Sequence, residues 1–285
     1  MARKEHCAHE PGGSSLKHPD SPAFTFAYQP IVDVHLREVH SYEALLRGTD
    51  NQSAYAILHQ VPPERLHFFD ERARVEAILT AARLGIDCHL NVNFLPQALY
   101  NSATSIISTL EAADQARLSP ERIVIEITEG EIIEDQPRFA ELINEFRGLG
   151  LKVAIDDFGA GYAGLNLLAD FQPDYIKLDM KLIRGIGSHG PRQAIVRAVT
   201  QVCLDLGIDV IAEGVETLDE YRWLAEEGLS FFQGYLFARP ALESFPVVDY
   251  PHLFESIGRP RKNGSGDLPT GNVSRINLRP SEIDK

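Results

Sequence analysis

The apolar positions of this chain switch repeatedly between strand and helix spacing. Phe24–Val34 and Val39–Leu46 read as two strands joined by a short polar turn. From about Pro63 to Leu84 the spacing turns helical, with Phe68, Val75, Ile78 and Leu79 as the apolar positions. The pattern then alternates: strand Cys88–Phe94, helix Ser102–Ala116, strand Arg122–Thr128, helix Pro137–Leu149 and strand Lys152–Asp156. It continues through a short helix Leu165–Asp170, strand Tyr175–Leu178, helix Pro191–Leu206, strand Asp209–Ala212, helix Leu218–Glu227 and strand Ser230–Gln233. Strands separated by helical stretches of about 10–16 residues make βαβ units and a parallel sheet.

No glycine-rich phosphate loop follows the first strand, and polar residues recur at successive strand ends. Both features favour a closed ring over an open, doubly wound sheet. The expected fold is therefore α/β, a modified TIM (β/α)8 barrel. Its first two strands lack an intervening helix, so its start is irregular and partly antiparallel. The expected boundaries are a flexible tail over 1–22, the barrel over 23–257 and a second flexible tail over 258–285, with no second domain.

Composition narrows the function. The chain has 285 residues, 44% of them hydrophobic and 24% charged, which suits one large barrel. A formal net charge of −14 argues against non-specific binding to duplex nucleic acid or to anionic membranes, but admits a small anion where metal ions reverse the local field. Cys7, Cys88 and Cys203 form no spacing motif and read as reduced thiols of a cytoplasmic protein, Cys88 and Cys203 as packing residues. The N-terminal stretch has no apolar core of a signal peptide, and no segment approaches the roughly 20 apolar residues of a membrane span.

The chemistry lies at the strand ends. In order, the apolar runs stop at Glu43, Asn93, Glu126, the pair Asp156–Asp157, Lys177 and Glu213. One such acid is usually a turn residue or a helix cap. A series of them, separated by helices, points to one shared mouth of a barrel, where hard oxygen ligands and one cation fit a divalent-metal site acting on phosphate. In Arg122–Thr128 the alternation sends Ile123, Ile125 and Ile127 toward helices and Glu126 inward. In Tyr175–Asp179 it sends Lys177 and Asp179 inward, where the lysine needs a counter-charge. Adjacent residues of a regular strand face opposite ways, so Asp156 and Asp157 share a site only if the strand ends there. Gly159, Gly161 and Gly164 would permit that turn. Taken alone, the pair reads equally well as a strand end with an Asx turn.

Together these strings resemble one family. Tyr28-Gln29-Pro30-Ile31-Val32-Asp33 and Glu43-Ala44-Leu45-Leu46-Arg47 resemble the opening of EAL domains, the cyclic di-GMP phosphodiesterases named for Glu-Ala-Leu. Further matches follow in family order: Asn91-Val92-Asn93, Glu126-Ile127-Thr128-Glu129, Asp156-Asp157-Phe158-Gly159-Ala160-Gly161-Tyr162, Ile176-Lys177-Leu178-Asp179, Ala212-Glu213-Gly214-Val215-Glu216-Thr217 and Gln233-Gly234-Tyr235. The resemblance covers about Phe24 to Pro240.

It implies hydrolysis of cyclic di-GMP to linear pGpG with two divalent cations, Mg²⁺ or Mn²⁺, lowering a second messenger of bacterial biofilm and motility control. Glu43, Asn93, Glu126 and Asp156 would hold one metal. Asp156 would also reach the second, with Asp157 beside it and Glu213 supporting it. Lys177 would orient water or stabilise charge, with Glu216 and Gln233 completing the water and substrate network. Arg47 would bind phosphate, and Gln29, Asn93, Asp179 and Gln233 fall among the substrate-contacting positions. Glu129 would hold the loop that begins at Phe158 and Gly159, which the family uses to couple a homodimer to activity. With no room for a sensor, receiver or GGDEF domain, regulation is expected from a separate partner, dimerisation, expression or substrate level.

Three positions depart from the family pattern. Phe94-Leu95-Pro96 replaces Leu-Ser-Pro, Gly48 stands where many members carry tryptophan, and Ala163-Gly164 replaces Ser-Ser. Glu129 and Glu216 also admit a plainer reading, as a helix cap or a surface acid, while Lys181 and Arg184 read as a solvated helix face. Asn91 reads as a structural hydrogen-bonder. A receptor that binds without hydrolysis, or an interaction module, is the rival reading. A glycerophosphodiester enzyme is weaker, since no matched strand end is a histidine.

Overall fold

The computed structural model describes residues 22–95, 102–132, 136–161, 168–169, 172–248 and 250. Most of both expected tails, Ala163-Gly164 and most of the expected helix Leu165–Asp170 lie outside the described residues.

The first two strands, β1 (Phe24–Asp33) and β2 (Glu38–Gly48), form an antiparallel hairpin with Phe24 opposite Gly48 and Asp33 opposite Glu38. Its turn is set by Asp33, whose Oδ1 accepts from the backbone N–H of His35 and Leu36, an Asx turn. The remaining barrel strands are β3 (His89–Asn93), β4 (Ile123–Thr128), β5 (Lys152–Phe158), β6 (Tyr175–Leu178), β7 (Asp209–Ala212) and β8 (Phe231–Phe232). From β2 to β8 each pairs in parallel with the next. The antiparallel β1 bridges β8 back to β2 and closes an eight-stranded barrel, with a short β9 (Ala241–Leu242) added to β1.

Helices α1 (Ala54–Leu58), α2 (Leu66–Arg83), α3 (Ser102–Ala116), α4 (Glu129–Ile132), α5 (Gln136–Gly148), α6 (Met180–Ile183), α7 (Gly190–Leu206) and α8 (Leu218–Glu226) make the crossovers. The alternation in β4 works as its sequence predicts. Ile123, Ile125 and Ile127 join the layer beneath the helices, while Val124 packs inside the barrel with Ile31, Ala154, Tyr175 and Ile211. Each such fully buried aliphatic contributes about 1.5–3 kcal/mol of burial. In α8 the start is fixed by a capping box between Thr217 and Glu220.

Several details differ from the sequence reading. In α2 the buried aromatic is Phe69, whereas Phe68 is 64% exposed, so the apolar stripe is shifted by one residue. The short α1 and β9 span too few residues to show a period. The strand β5 does not end at its aspartates: it continues to Phe158, and its register against β6 shifts between Ile155 and Phe158.

The floor of the barrel is sealed by rings. His40 stacks on His89 with centroids 4.7 Å apart, lies 4.6 Å from Phe231, and hydrogen-bonds the Tyr175 hydroxyl at 3.1 Å. Burial, then the neighbouring His89 and Lys152, lower the His40 pKa from 6.5 to about 4. The fold therefore favours neutral imidazole. That stabilisation is complete above pH 6.5 and is lost as pH falls toward 4. After allowance for partial exposure, His40→Phe should remove roughly 1–2 kcal/mol of the acid-side stability loss. Urea denaturation at pH 7 and pH 4.5 measures it; parallel losses in parent and variant would exclude His40 as the titrating group.

Candidate metal centre at the barrel mouth

Lys177 is the geometric hub. It projects from the middle of β6 into the barrel with no exposed surface. Its Nζ lies 2.6 Å from Glu213, 2.9 Å from Glu126, and 3.3 Å from both Glu43 and Asp156. Three strands and the residue just past β7 thus deliver one carboxylate each to a single ammonium. Burial opposes the charge, but Asp156, Glu126, Glu213 and Glu43 outweigh it and hold the lysine pKa well above its usual value.

The carboxylates are not balanced by that one cation. Burial first, with Glu43 and Asp156 adding repulsion, lifts Glu126 to about 8 despite Lys177. Burial and the charge of Asp156 lift Asp157 to about 6, and burial with Asp156 and Glu43 raises Glu213 well above the carboxylate range. If Glu43, Glu126, Asp156, Asp157 and Glu213 are all ionised, these five charges against Lys177 leave four uncompensated.

Divalent cations fit this donor set. Oxygens of Asp156, Asp157 and Glu213 all lie within 4.8 Å of one another, and Glu126 Oε2, Asn91 Oδ1 and Gln233 Oε1 are buried without a hydrogen-bond partner. Hard oxygen donors, excess negative charge and unpaired buried acceptors together suit Mg²⁺- or Mn²⁺-class ions.

The aspartate pair is brought together by a bulge. Asp157 adopts a left-handed φ of 56°, its N–H donates to Asp156 Oδ1 at 2.9 Å, and pairing resumes at Phe158. The extra residue lets both side chains serve the mouth without ending the strand. Just beyond, Glu129, 1% exposed, accepts from the backbone N–H of Gly159 at 2.8 Å and Gly161 at 3.3 Å. Gly159 has a φ of 90°, and a Cβ there would fall 2.5 Å from Leu182, so the loop needs glycine at this position. Phe158 is buried and accepts from the Asp179 N–H, which ties β5 to the end of β6.

Substrate-side positions are partly gathered. Gln233 donates to Glu43 at 2.7 Å and to Gln29 at 3.4 Å, and Gln29 donates to the Ala238 carbonyl. Asn93 is exposed at the rim, in register with Glu126, while Asn91 donates to Glu126 Oε1 at 2.8 Å and so orients that carboxylate. Arg47 is half-buried, with Nη1 on the Leu46 carbonyl. Asp179 caps α6 by accepting from Lys181 N–H at 2.7 Å, and its side chain also meets Asp157.

Glu216 is not drawn into the cluster: both its oxygens engage Arg184, at 2.7 and 2.9 Å. Arg184 is therefore this acid's partner rather than a bare solvated charge. Of the departures, Phe94 turns into the core against Phe146. At Gly48 a Cβ would meet the Gln52 amide at 1.8 Å, so Gln52 fills the space a tryptophan would need.

A closed barrel with five carboxylates and a buried lysine at one mouth defines a candidate divalent-cation site. Residues 16–240 match the EAL domain family, and the chain belongs to it. It is 45% identical to a standalone EAL protein of Vibrio cholerae solved with c-di-GMP bound (TM-score 0.76, covering 79% of this chain and 95% of that one). It is 41% identical to BlrP1 of Klebsiella pneumoniae in a manganese/c-di-GMP complex (TM-score 0.75, covering 79% and 58%). Over 227 residues it is 37% identical to the blue light- and temperature-regulated antirepressor BluF of Escherichia coli, covering 79% of this chain and 56% of BluF. The chain spans about half the length of the curated relatives it matches. Among the described residues no helix is long and apolar enough to cross a membrane.

Proposed function

We propose that this chain is a cytoplasmic phosphodiesterase that cleaves one phosphodiester of cyclic di-GMP to give linear pGpG, with two divalent cations, Mg²⁺ or Mn²⁺. The observation that carries the reading is the crowding at the mouth: four carboxylates converge on one buried lysine with Asp157 beside them, an excess of acids that two dications would balance once all five are ionised.

Glu43, Asn93, Glu126, Asp156, Asp157 and Glu213 would hold the ions, which when bound supply Lewis acidity for water and neutralise phosphate oxygens. Lys177 and Arg47 place fixed positive charge where it accumulates on the phosphoryl group. Water adds to phosphorus, the bond to the 3′-oxygen breaks, and that oxygen leaves with a proton. Gln29, Asp179 and Gln233 would seat the nucleotide, and Glu216, released from Arg184, would join the water network. The tether from Glu129 to the loop at Gly159 supports coupling of the mouth to a homodimer contact.

The likeness to an antirepressor favours one second reading, a protein-interaction module without hydrolysis. Chromatography after incubation with cyclic di-GMP and Mn²⁺, with an EDTA control, separates the two. Metal-dependent pGpG is the expected result; intact nucleotide despite measured binding would overturn hydrolysis.

A further inference from the structure

Beneath the rim position Asn93 lies a buried ion pair that is separate from the ion pairs of Lys177. Arg74 and Asp70 sit one helical turn apart on α2, 2% and 6% exposed. Arg74 Nη1 donates to Asp70 Oδ2 at 2.6 Å and to the Asn93 backbone carbonyl at 3.4 Å, and its Nε donates to Thr109 of α3 at 3.0 Å. Asp70 uses its other oxygen to accept from the Leu95 N–H at 3.3 Å. Between these two grips, the Phe94 ring lies 4.6 Å from the guanidinium, and the Phe94 N–H donates to the Glu126 carbonyl, extending the β3–β4 ladder.

A buried pair of this kind is a poor stabiliser, since apolar residues of equal volume do as well or better. What an apolar pair cannot do is hold two particular backbone groups. Here those groups belong to Asn93 and Leu95, on either side of one residue, where β3 meets the mouth.

We infer that Arg74, locked by Asp70, is a positioning residue that sets the backbone of Asn93 and so the reach of its side chain toward a divalent cation. This rests on the proposed role of Asn93 as a metal ligand. Outer partners of ligands commonly change metal affinity by about 10–100-fold.

The test uses the full chain and reads Mn²⁺ binding directly, from the electron paramagnetic resonance signal of free Mn²⁺, beside the thermal midpoint. Arg74→Met should weaken Mn²⁺ binding about tenfold and lower the midpoint. The double change Asp70→Leu with Arg74→Met should recover the midpoint without recovering the affinity. In an Asn93→Ala background, Arg74→Met should weaken Mn²⁺ no further. Affinity that returns with stability, or that never falls, would overturn the positioning role while leaving the metal reading intact. Mn²⁺ binding unchanged by Asn93→Ala would overturn the metal reading at this residue, and the inference with it.

Discussion

Replacing Lys177 by methionine should leave a protein whose fold depends on divalent metal and whose turnover is lost about 10²–10⁴-fold. The lysine is the only cation within 4 Å of Glu43, Glu126, Asp156 and Glu213 among the described ion pairs, and it is fully buried. Removing one partner of a buried pair typically costs about 3–5 kcal/mol, and here four carboxylates lose the same partner. The metal-free variant answers by taking up protons, because Glu126 is already lifted to about 8.

A carboxyl whose folded pKa exceeds its unfolded value stabilises the fold below the unfolded pKa and loses that stability as pH rises through the folded one. The deficit of the metal-free variant should therefore grow between pH 5 and pH 8, and Mn²⁺ should restore more stability to the variant than to the parent. Denaturation with EDTA and with Mn²⁺ at both values measures this. A variant as stable as the parent in EDTA at pH 8 would show that Lys177 does not hold the carboxylates together.

Much of this arrangement is legible in the chain because alternation fixes direction. In β4 and β6 the apolar positions declare the helix-facing side, so Glu126 and Lys177 must enter the barrel, and they do. Alternation fails where the backbone breaks it. The reading that Asp156 and Asp157 require a strand end overlooks a bulge, which depends on one left-handed residue and leaves no periodic mark. Pairing is harder still to read. Glu216 and Arg184 are 32 positions apart, and only the fold shows that two loops set them face to face. The Asp70–Arg74 pair did carry a signal, an i, i+4 opposite-charge pair in the apolar phase of α2 between Phe69 and Ala77, but surface helices show the same spacing. The one-residue shift from Phe68 to Phe69 has the same origin: two adjacent phenylalanines satisfy the period equally well, and packing against Phe24 selects one.

Glu43→Ala tests the opposite side of the charge balance and should separate activity from stability. Glu43 is 7% exposed and accepts from Lys177 and Gln233, yet neither donor is stranded by its loss. Lys177 keeps Glu126, Asp156 and Glu213, and Gln233 keeps Gln29. One negative charge also leaves a site that has too many, which offsets the small cavity, so the metal-free thermal midpoint should move by only a few degrees. Turnover should fall at least about 10³-fold, since each tenfold loss is about 1.4 kcal/mol and a lost metal-binding carboxylate costs several kcal/mol of barrier. Lys177→Met and Glu43→Ala thus predict opposite patterns, one losing metal-free stability with activity and the other losing activity alone. Calorimetry of both variants in EDTA, with pGpG formation in Mn²⁺, distinguishes them. A folded Glu43→Ala protein that still hydrolyses cyclic di-GMP at the parent rate would remove Glu43 from the metal-binding set.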